Sequence, residues 1–99
     1  MKDVITENYQ LMFGDCLERM KEIPSGSVDL ILVDLPYQTT QNSWDSMIDL
    51  EEMWVQLNRI CKPNTAKLMF AQTPFDKILG CSNLKELKYE WIWEKTTAT

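Results

Sequence analysis

One apolar run constrains the fold of this chain more than any other feature of the sequence. Residues 28–33 are apolar apart from Asp29, and Asp34, Leu35, Pro36 and Tyr37 follow directly. A nearly continuous apolar run is typical of a strand that is buried on both faces, as in a parallel sheet. The sequence therefore predicts an α/β fold with a mostly parallel sheet and flanking helices, in which Asp34 lies at the carboxyl end of a central strand.

The carboxyl end of that strand is also the predicted functional site. Ligands of open α/β sheets bind outside the carboxyl ends of the strands. Pro36 restricts Leu35 to an extended conformation, which holds the Leu35 carbonyl in a fixed direction beside the Asp34 carboxylate, and Tyr37 adds a flat ring. A carboxylate and a carbonyl can accept both hydrogens of an exocyclic amine while a ring stacks on the base. These residues predict a site for a planar base that carries an amino group.

The same residues carry a resemblance to a known family. Asp34-Leu35-Pro36-Tyr37 resembles the D-P-P-Y motif of DNA methyltransferases that modify the exocyclic amine of adenine or cytosine. The sequence departs from the family pattern at Leu35, where a second proline is usual, and at Gln38, where a glycine is usual. The likeness extends over almost the whole chain, through residues 14–17, 23–31, 39–40, 44–45, 59–64, 74–75 and 89–96.

The resemblance implies a partial Rossmann-like sheet and S-adenosylmethionine as the methyl donor. It assigns the catalytic role to Asp34, Leu35, Pro36 and Tyr37, and it places Asp15 near the cofactor, although Asp15 also has the position of a helix N-cap. The polar loop after the motif is either a contact with the flipped base or a solvated connection. Its residues that fit the family pattern are Thr39, Thr40, Trp44 and Asp45.

The glycines do not complete the family pattern. Members that carry the catalytic motif early have an F-x-G-x-G cofactor turn much later, whereas Gly14, Gly26 and Gly80 are far apart here. We therefore expect residues 1–99 to form one domain that corresponds to the catalytic half of a methyltransferase. Alone it is expected to be inactive or incomplete and not to bind S-adenosylmethionine.

Composition favours a protein partner over DNA for the chain by itself. The net charge is −5, and the lysines form no basic patch of the kind that binds phosphates. Four tryptophans and six methionines are many for this length, which indicates apolar surface left for a partner. The alternative function is thus a non-catalytic binding module derived from a methyltransferase, such as an acidic phage-encoded inhibitor of a host defence complex. A homodimer is the expected assembly.

The same composition bounds the environment. Three widely spaced cysteines argue against a disulfide framework, and without histidine we expect no zinc site. No stretch has the length of a membrane span or a signal peptide. We expect the cytoplasm of a bacterium or of a phage-infected host.

The remaining pattern predicts where the other elements lie. An open edge on the strand at 28–33 would be closed either by the strand at 9–13 or by a second copy of the chain. The predicted elements are a strand at 9–13, a helix at 16–23 capped by Asp15 and Glu18, a helix at 49–61, a strand at 66–71 parallel to the first, a helix from 75 to 79 broken by Gly80, and a strand at 89–94.

Overall fold

A computed structural model describes residues 2–36 and 48–97 and has a mixed α/β architecture. The strands form two separate two-stranded sheets, an antiparallel hairpin of β1 with β2 and a parallel pair of β3 with β4. Three helices accompany them among the described residues. The elements in chain order are β1 (Val4–Ile5), β2 (Gln10–Leu11), α1 (Cys16–Met20), β3 (Val28–Asp34), α2 (Leu50–Ile60), β4 (Cys61–Phe70) and α3 (Phe75–Ser82).

The parallel pairing of β3 with β4 confirms the predicted relation between the two apolar strands. β4 begins at Cys61, directly after α2 and earlier than predicted, and opposes Val28 there. The register then shifts, so that the next pair is Leu30 with Ala66. Asn64 takes a left-handed conformation with φ of 64° inside this irregular stretch, a region that asparagine enters more readily than most residues.

Helix α2 supplies three of the eight buried residues in the core cluster, more than any other element. Asp49 caps it, accepting a hydrogen bond from the backbone amide of Glu52 at 3.1 Å. The buried side chains of α2 follow helical spacing and form one cluster with buried residues from β3 and α3. The predicted helix at 49–61 is therefore confirmed. The cluster consists of Ile31, Leu35, Ile48, Met53, Leu57, Ile60, Cys61 and Phe75.

Only one face of the β3–β4 sheet is covered in the part of the chain that the structure describes. Ile31 is 8% exposed on the face that packs with α2, whereas its neighbours Leu30 and Leu32 are 55% and 63% exposed. The prediction that β3 is buried on both faces is wrong, because apolar composition does not reveal whether a second layer exists. The more exposed side is called the outer face here and carries Leu30, Leu32, Leu68 and Phe70, with Asp34 beside Phe70 and the ring of Trp93 against it.

The amino-terminal strand does not close this sheet. Within the predicted strand at 9–13, only Gln10 and Leu11 are in strand conformation, and they pair with Val4 and Ile5 in the hairpin. The first of the two expected ways of closing the β3 edge is therefore wrong. Among the described residues, β4 is the one strand that pairs with β3.

Four local predictions also need correction. Helix α1 ends at Met20 rather than residue 23, and although Asp15 caps it, Glu18 pairs with Lys21 at 3.1 Å instead of reaching back to the cap. Helix α3 continues through Gly80 to Ser82, because one glycine costs a helix only about 1 kcal/mol and the buried Phe75 anchors this one. The segment at 89–94 is not a strand and is exposed.

Arg59 of α2 ties this helix to the end of α1. Its guanidinium donates to the carbonyl oxygens of Met20 at 2.7 Å and Ile23 at 2.8 Å, and to the hydroxyl of Ser25 at 3.1 Å.

We expect Arg59→Ala to lower the free energy of unfolding by about 1.5–3 kcal/mol, the range for hydrogen bonds to a charged group. Urea denaturation followed by circular dichroism measures it. Lys88→Ala, at an exposed position, is the control, and equal losses in the two variants would contradict the role of Arg59.

Candidate functional site

The candidate site lies where β3 and β4 end side by side. Asp34, the last residue of β3, is paired in register with Phe70, the last residue of β4. The Asp34 side chain is exposed. A parallel pair thus presents a carboxylate at its carboxyl end, the edge at which open α/β sheets bind ligands.

Leu35 anchors the backbone directly after this carboxylate. Its side chain belongs to the buried cluster and is 8% exposed. Pro36 follows, and its carbonyl accepts a hydrogen bond from the backbone amide of Ile48 at 3.3 Å. The Leu35 carbonyl is therefore held by core packing on one side and by the proline ring on the other. The sequence predicts only a backbone role for Leu35, whereas the structure shows that its side chain also contributes to the core.

An aromatic pair lies beside Asp34 and was also missed. Phe70 is the register partner of Asp34, and its ring contacts that of Trp93 with centroids 5.9 Å apart and planes tilted by 50°. Both side chains are largely exposed, at 44% and 73%. Phe70 could have been found as the last apolar residue of the predicted second strand, whereas nothing in the sequence indicates that Trp93 reaches it.

The structure brings together only part of the predicted motif. Asp34, Leu35 and Pro36 form one continuous corner at the end of β3. The other predicted site residues, Tyr37, Thr39, Thr40, Trp44 and Asp45, lie outside the described residues.

Asp15 is engaged in a structural role. Its carboxylate accepts a hydrogen bond from the backbone amide of Leu17 at 2.9 Å and so caps α1. The adjacent Gly14 has φ of 138°, and the Arg19 side chain lies 3.3 Å from where a Cβ on Gly14 would stand. The chain thus fills this corner with its own side chain. Gly14 and Asp15 are thus both engaged in contacts within the chain, and neither presents a free polar group to a cofactor.

Arg19 is itself held by acidic partners. It bonds to Asp3 and Glu22, the latter at 2.7 Å, and to the carbonyl of Phe13. The hydrogen bond from Arg19 lowers the pKa of Asp3 to about 2, with a smaller contribution from the backbone amide of Phe13. These contacts join the β1–β2 hairpin to α1, so we interpret this charged cluster as structural.

Residues 2–36 and 48–97 also bear on metal binding and on membrane insertion. No group of three or more acidic or cysteine side chains is placed to hold a metal ion there. No helix in these ranges is long and apolar enough to cross a membrane.

Comparison with known proteins supports a methyltransferase-like relationship. The relative is the DNA adenine methyltransferase YhdJ of Escherichia coli (strain K12), which is 33% identical over an alignment of 95 residues. The alignment covers 84% of this chain but 32% of that protein, so the chain spans about a third of the length of the relative. No protein-family model and no solved structure matches the chain.

Proposed function

We propose that this chain carries the catalytic corner of a DNA methyltransferase that modifies an exocyclic base amine. The observation that carries the proposal is the position of Asp34, an exposed carboxylate at the carboxyl end of a parallel strand, directly before the anchored Leu35. The sequence identity of 33% to a DNA adenine methyltransferase supports the same proposal and favours adenine over cytosine as the target base. The sheet is then one portion of a Rossmann-like fold, and the cell compartment is the cytoplasm, where bacterial DNA lies.

In this proposal the corner holds the target amine ready to react. The Asp34 carboxylate and the Leu35 carbonyl accept the two amine hydrogens, which directs the nitrogen lone pair away from them. Tyr37 stacks on the base that has left the helix, and the loop with Thr39, Thr40, Trp44 and Asp45 covers it. The rate increases because the amine nitrogen is held in line with the methyl group. The loss of translational and rotational entropy is then incurred on binding and not in the reaction step.

S-adenosylmethionine would supply the methyl group, and we propose that a complementing polypeptide holds it. The corner at Gly14 and Asp15 is filled by Arg19 and by the cap of α1. Since Gly14 and Asp15 are engaged in these contacts, we expect the binding energy for the donor to come from residues outside this corner.

The chain alone is therefore expected to bind S-adenosylmethionine weakly or not at all. Isothermal titration calorimetry measures this directly, with the E. coli relative as the positive control. A micromolar dissociation constant, equivalent to about −8 kcal/mol, would contradict the prediction and mean that this chain holds the methyl donor itself.

Methyl transfer tests the function itself. Adenine-containing DNA and methyl-labelled S-adenosylmethionine are incubated with the chain alone and with the chain plus the part of the E. coli relative that the alignment leaves uncovered. We expect labelled N6-methyladenine only when both polypeptides are present. If the two polypeptides fold and associate yet transfer no methyl group to adenine or cytosine, the proposal fails.

A second candidate function is a non-catalytic protein-binding module. The exposed outer face and the net charge of −5 favour it, because both suit a protein surface better than DNA. The two functions differ in their dependence on Asp34. A binding module would retain its partner when Asp34 is replaced, whereas an enzyme would lose turnover.

A further inference from the structure

Phe70 and Trp93 form an exposed aromatic pair on the outer face of the β3–β4 sheet. Their ring centroids are 5.9 Å apart and the ring planes are tilted by 50°, which is an attractive geometry for two aromatic rings. The contact covers little of either side chain, since Phe70 is 44% exposed and Trp93 is 73% exposed. Most of the Trp93 side chain is therefore accessible to a ligand in the part of the chain that the structure describes.

The Asp34 carboxylate belongs to the same surface. Asp34 is the register partner of Phe70, and register partners on neighbouring strands, about 4.8 Å apart, point to the same side of a sheet. Leu32 and Leu68 are paired two residues earlier, so the surface continues towards the sheet centre as an apolar floor. A strong hydrogen-bond acceptor thus lies at the edge of an aromatic and apolar surface.

We propose that the target base stacks on the Phe70–Trp93 pair while its exocyclic amine donates to Asp34. This inference rests on the proposed function, which already gives the amine to Asp34, and it adds the surface that supports the base. A base has two faces, so stacking on Tyr37 leaves the other face for this pair. Stacking needs no positive charge, which suits a chain with a net charge of −5 better than contacts with phosphates do.

The carboxylate determines which flat ligand fits the surface. A purely apolar ligand would cover Asp34 without offering it a hydrogen-bond donor, which costs free energy. A base with an exocyclic amine offers a ring face and a donor together. Adenosine and inosine share the purine ring but carry an amine and a carbonyl, respectively, at the same ring position. The surface should therefore prefer adenosine to inosine.

Proton NMR titrations of the purified chain with adenosine and with inosine test the proposal. We expect the ring protons of adenosine to shift upfield in the ring currents of the pair, with a dissociation constant of about 1–10 mM for a single stacked base. Inosine should bind at least about 5-fold more weakly, because it cannot donate the amine hydrogen bond to the carboxylate. Asp34→Ala should remove this preference.

Two tryptophans of one segment provide the variant and its matched control. Trp93→Leu keeps an apolar side chain but removes the stacking ring, so adenosine binding should weaken at least about 5-fold. Trp93→Phe retains a ring and should retain most of the affinity. Trp91→Leu is the control, since Trp91 is 80% exposed and its ring stacks on Tyr89 with centroids 6.3 Å apart. The adenosine affinity of that control should be unchanged.

Several results would overturn the proposal. The wild-type chain would bind no adenosine, or would bind inosine equally well, or Trp91→Leu would weaken binding as much as Trp93→Leu. A carboxylate among aromatic rings also suits an organic cation. If tetramethylammonium perturbs the Trp93 indole signal and adenosine does not, the occupant is such a cation and the proposal is wrong.

Two further measurements keep the test decisive. Circular dichroism checks that each variant folds, and if Trp93→Leu unfolds, Trp93→Phe and the comparison of adenosine with inosine decide the matter. Methyl transfer by the two-polypeptide mixture separates this proposal from the proposed function. Adenosine binding at Trp93 without methyl transfer would contradict the function alone, whereas methyl transfer that Trp93→Leu leaves unchanged would contradict the base-stacking role alone.

Discussion

Asp34→Ala is expected to lower methyl transfer by about 10²–10³-fold, the loss typical when one preorganised polar group is removed from a reacting centre. The assay is the mixture of this chain with the uncovered part of the E. coli relative. Without the carboxylate, the base amine still donates one hydrogen bond to the Leu35 carbonyl. It loses the second hydrogen bond that would fix its orientation. The expected change is in kcat rather than KM, because stacking on Tyr37 would still bind the base.

The fold of this variant should be unchanged, because the Asp34 side chain is exposed at the end of β3. Asp29→Ala is the matched control. It removes an exposed carboxylate from the same strand, one that pairs with Lys62 on the surface and lies outside the proposed site. Because a surface ion pair contributes little, methyl transfer should stay within about twofold of the wild-type rate. If Asp34→Ala unfolds the chain, the carboxylate is structural and the motif loses its functional interpretation.

The elements that the sequence predicted correctly are those whose signals are local. Helix α2 has its cap at Asp49 and its apolar stripe within consecutive turns, so both ends could be predicted to within a residue. The parallel relation of β3 and β4 followed from two apolar runs joined by a helix, an arrangement that requires a crossover.

The incorrect predictions concern partners that lie far away in the chain or are not present among the described residues. β3 is as apolar as a strand buried on both sides, but Leu30 and Leu32 face water because no second layer covers them here. The segment at 89–94 has the aromatic content of a strand, yet strand conformation also needs a neighbouring strand to pair with. Composition shows which environment a side chain favours. It does not show whether a covering layer or a neighbouring strand is present to provide that environment.

The candidate site divides in the same way. The corner of Asp34, Leu35 and Pro36 could be predicted because a strand end followed by proline is a local signal. The approach of Phe70 and Trp93 depends on the register of β4 and on the path of the carboxyl-terminal segment, which no local pattern contains. The cap formed by Asp15 was one of two predicted roles, and the contact of Arg19 with Gly14 is what favours it over cofactor binding.

Met53→Ala is expected to be among the most destabilising substitutions in the chain. Met53 is 1% exposed and lies in the cluster that joins α2 to β3 and α3. Truncation of such a side chain costs about 2–5 kcal/mol, since the loss of apolar contact is compounded by the cavity left behind. A small domain has a total stability of about 5–15 kcal/mol, and a chain with one covered sheet face is expected near the lower end. A substantial unfolded fraction should therefore be present at 37 °C.

Urea denaturation at one fixed protein concentration measures this loss, because self-association would shift the midpoint with concentration. Val55→Ala is the control on the same helix. Val55 is 57% exposed, and its truncation should change the free energy of unfolding by no more than about 0.5 kcal/mol, as for other surface positions. Equal effects in the two variants would mean that α2 does not pack on β3 through its Met53 side, and the assignment of the outer face as the uncovered layer would fail with it.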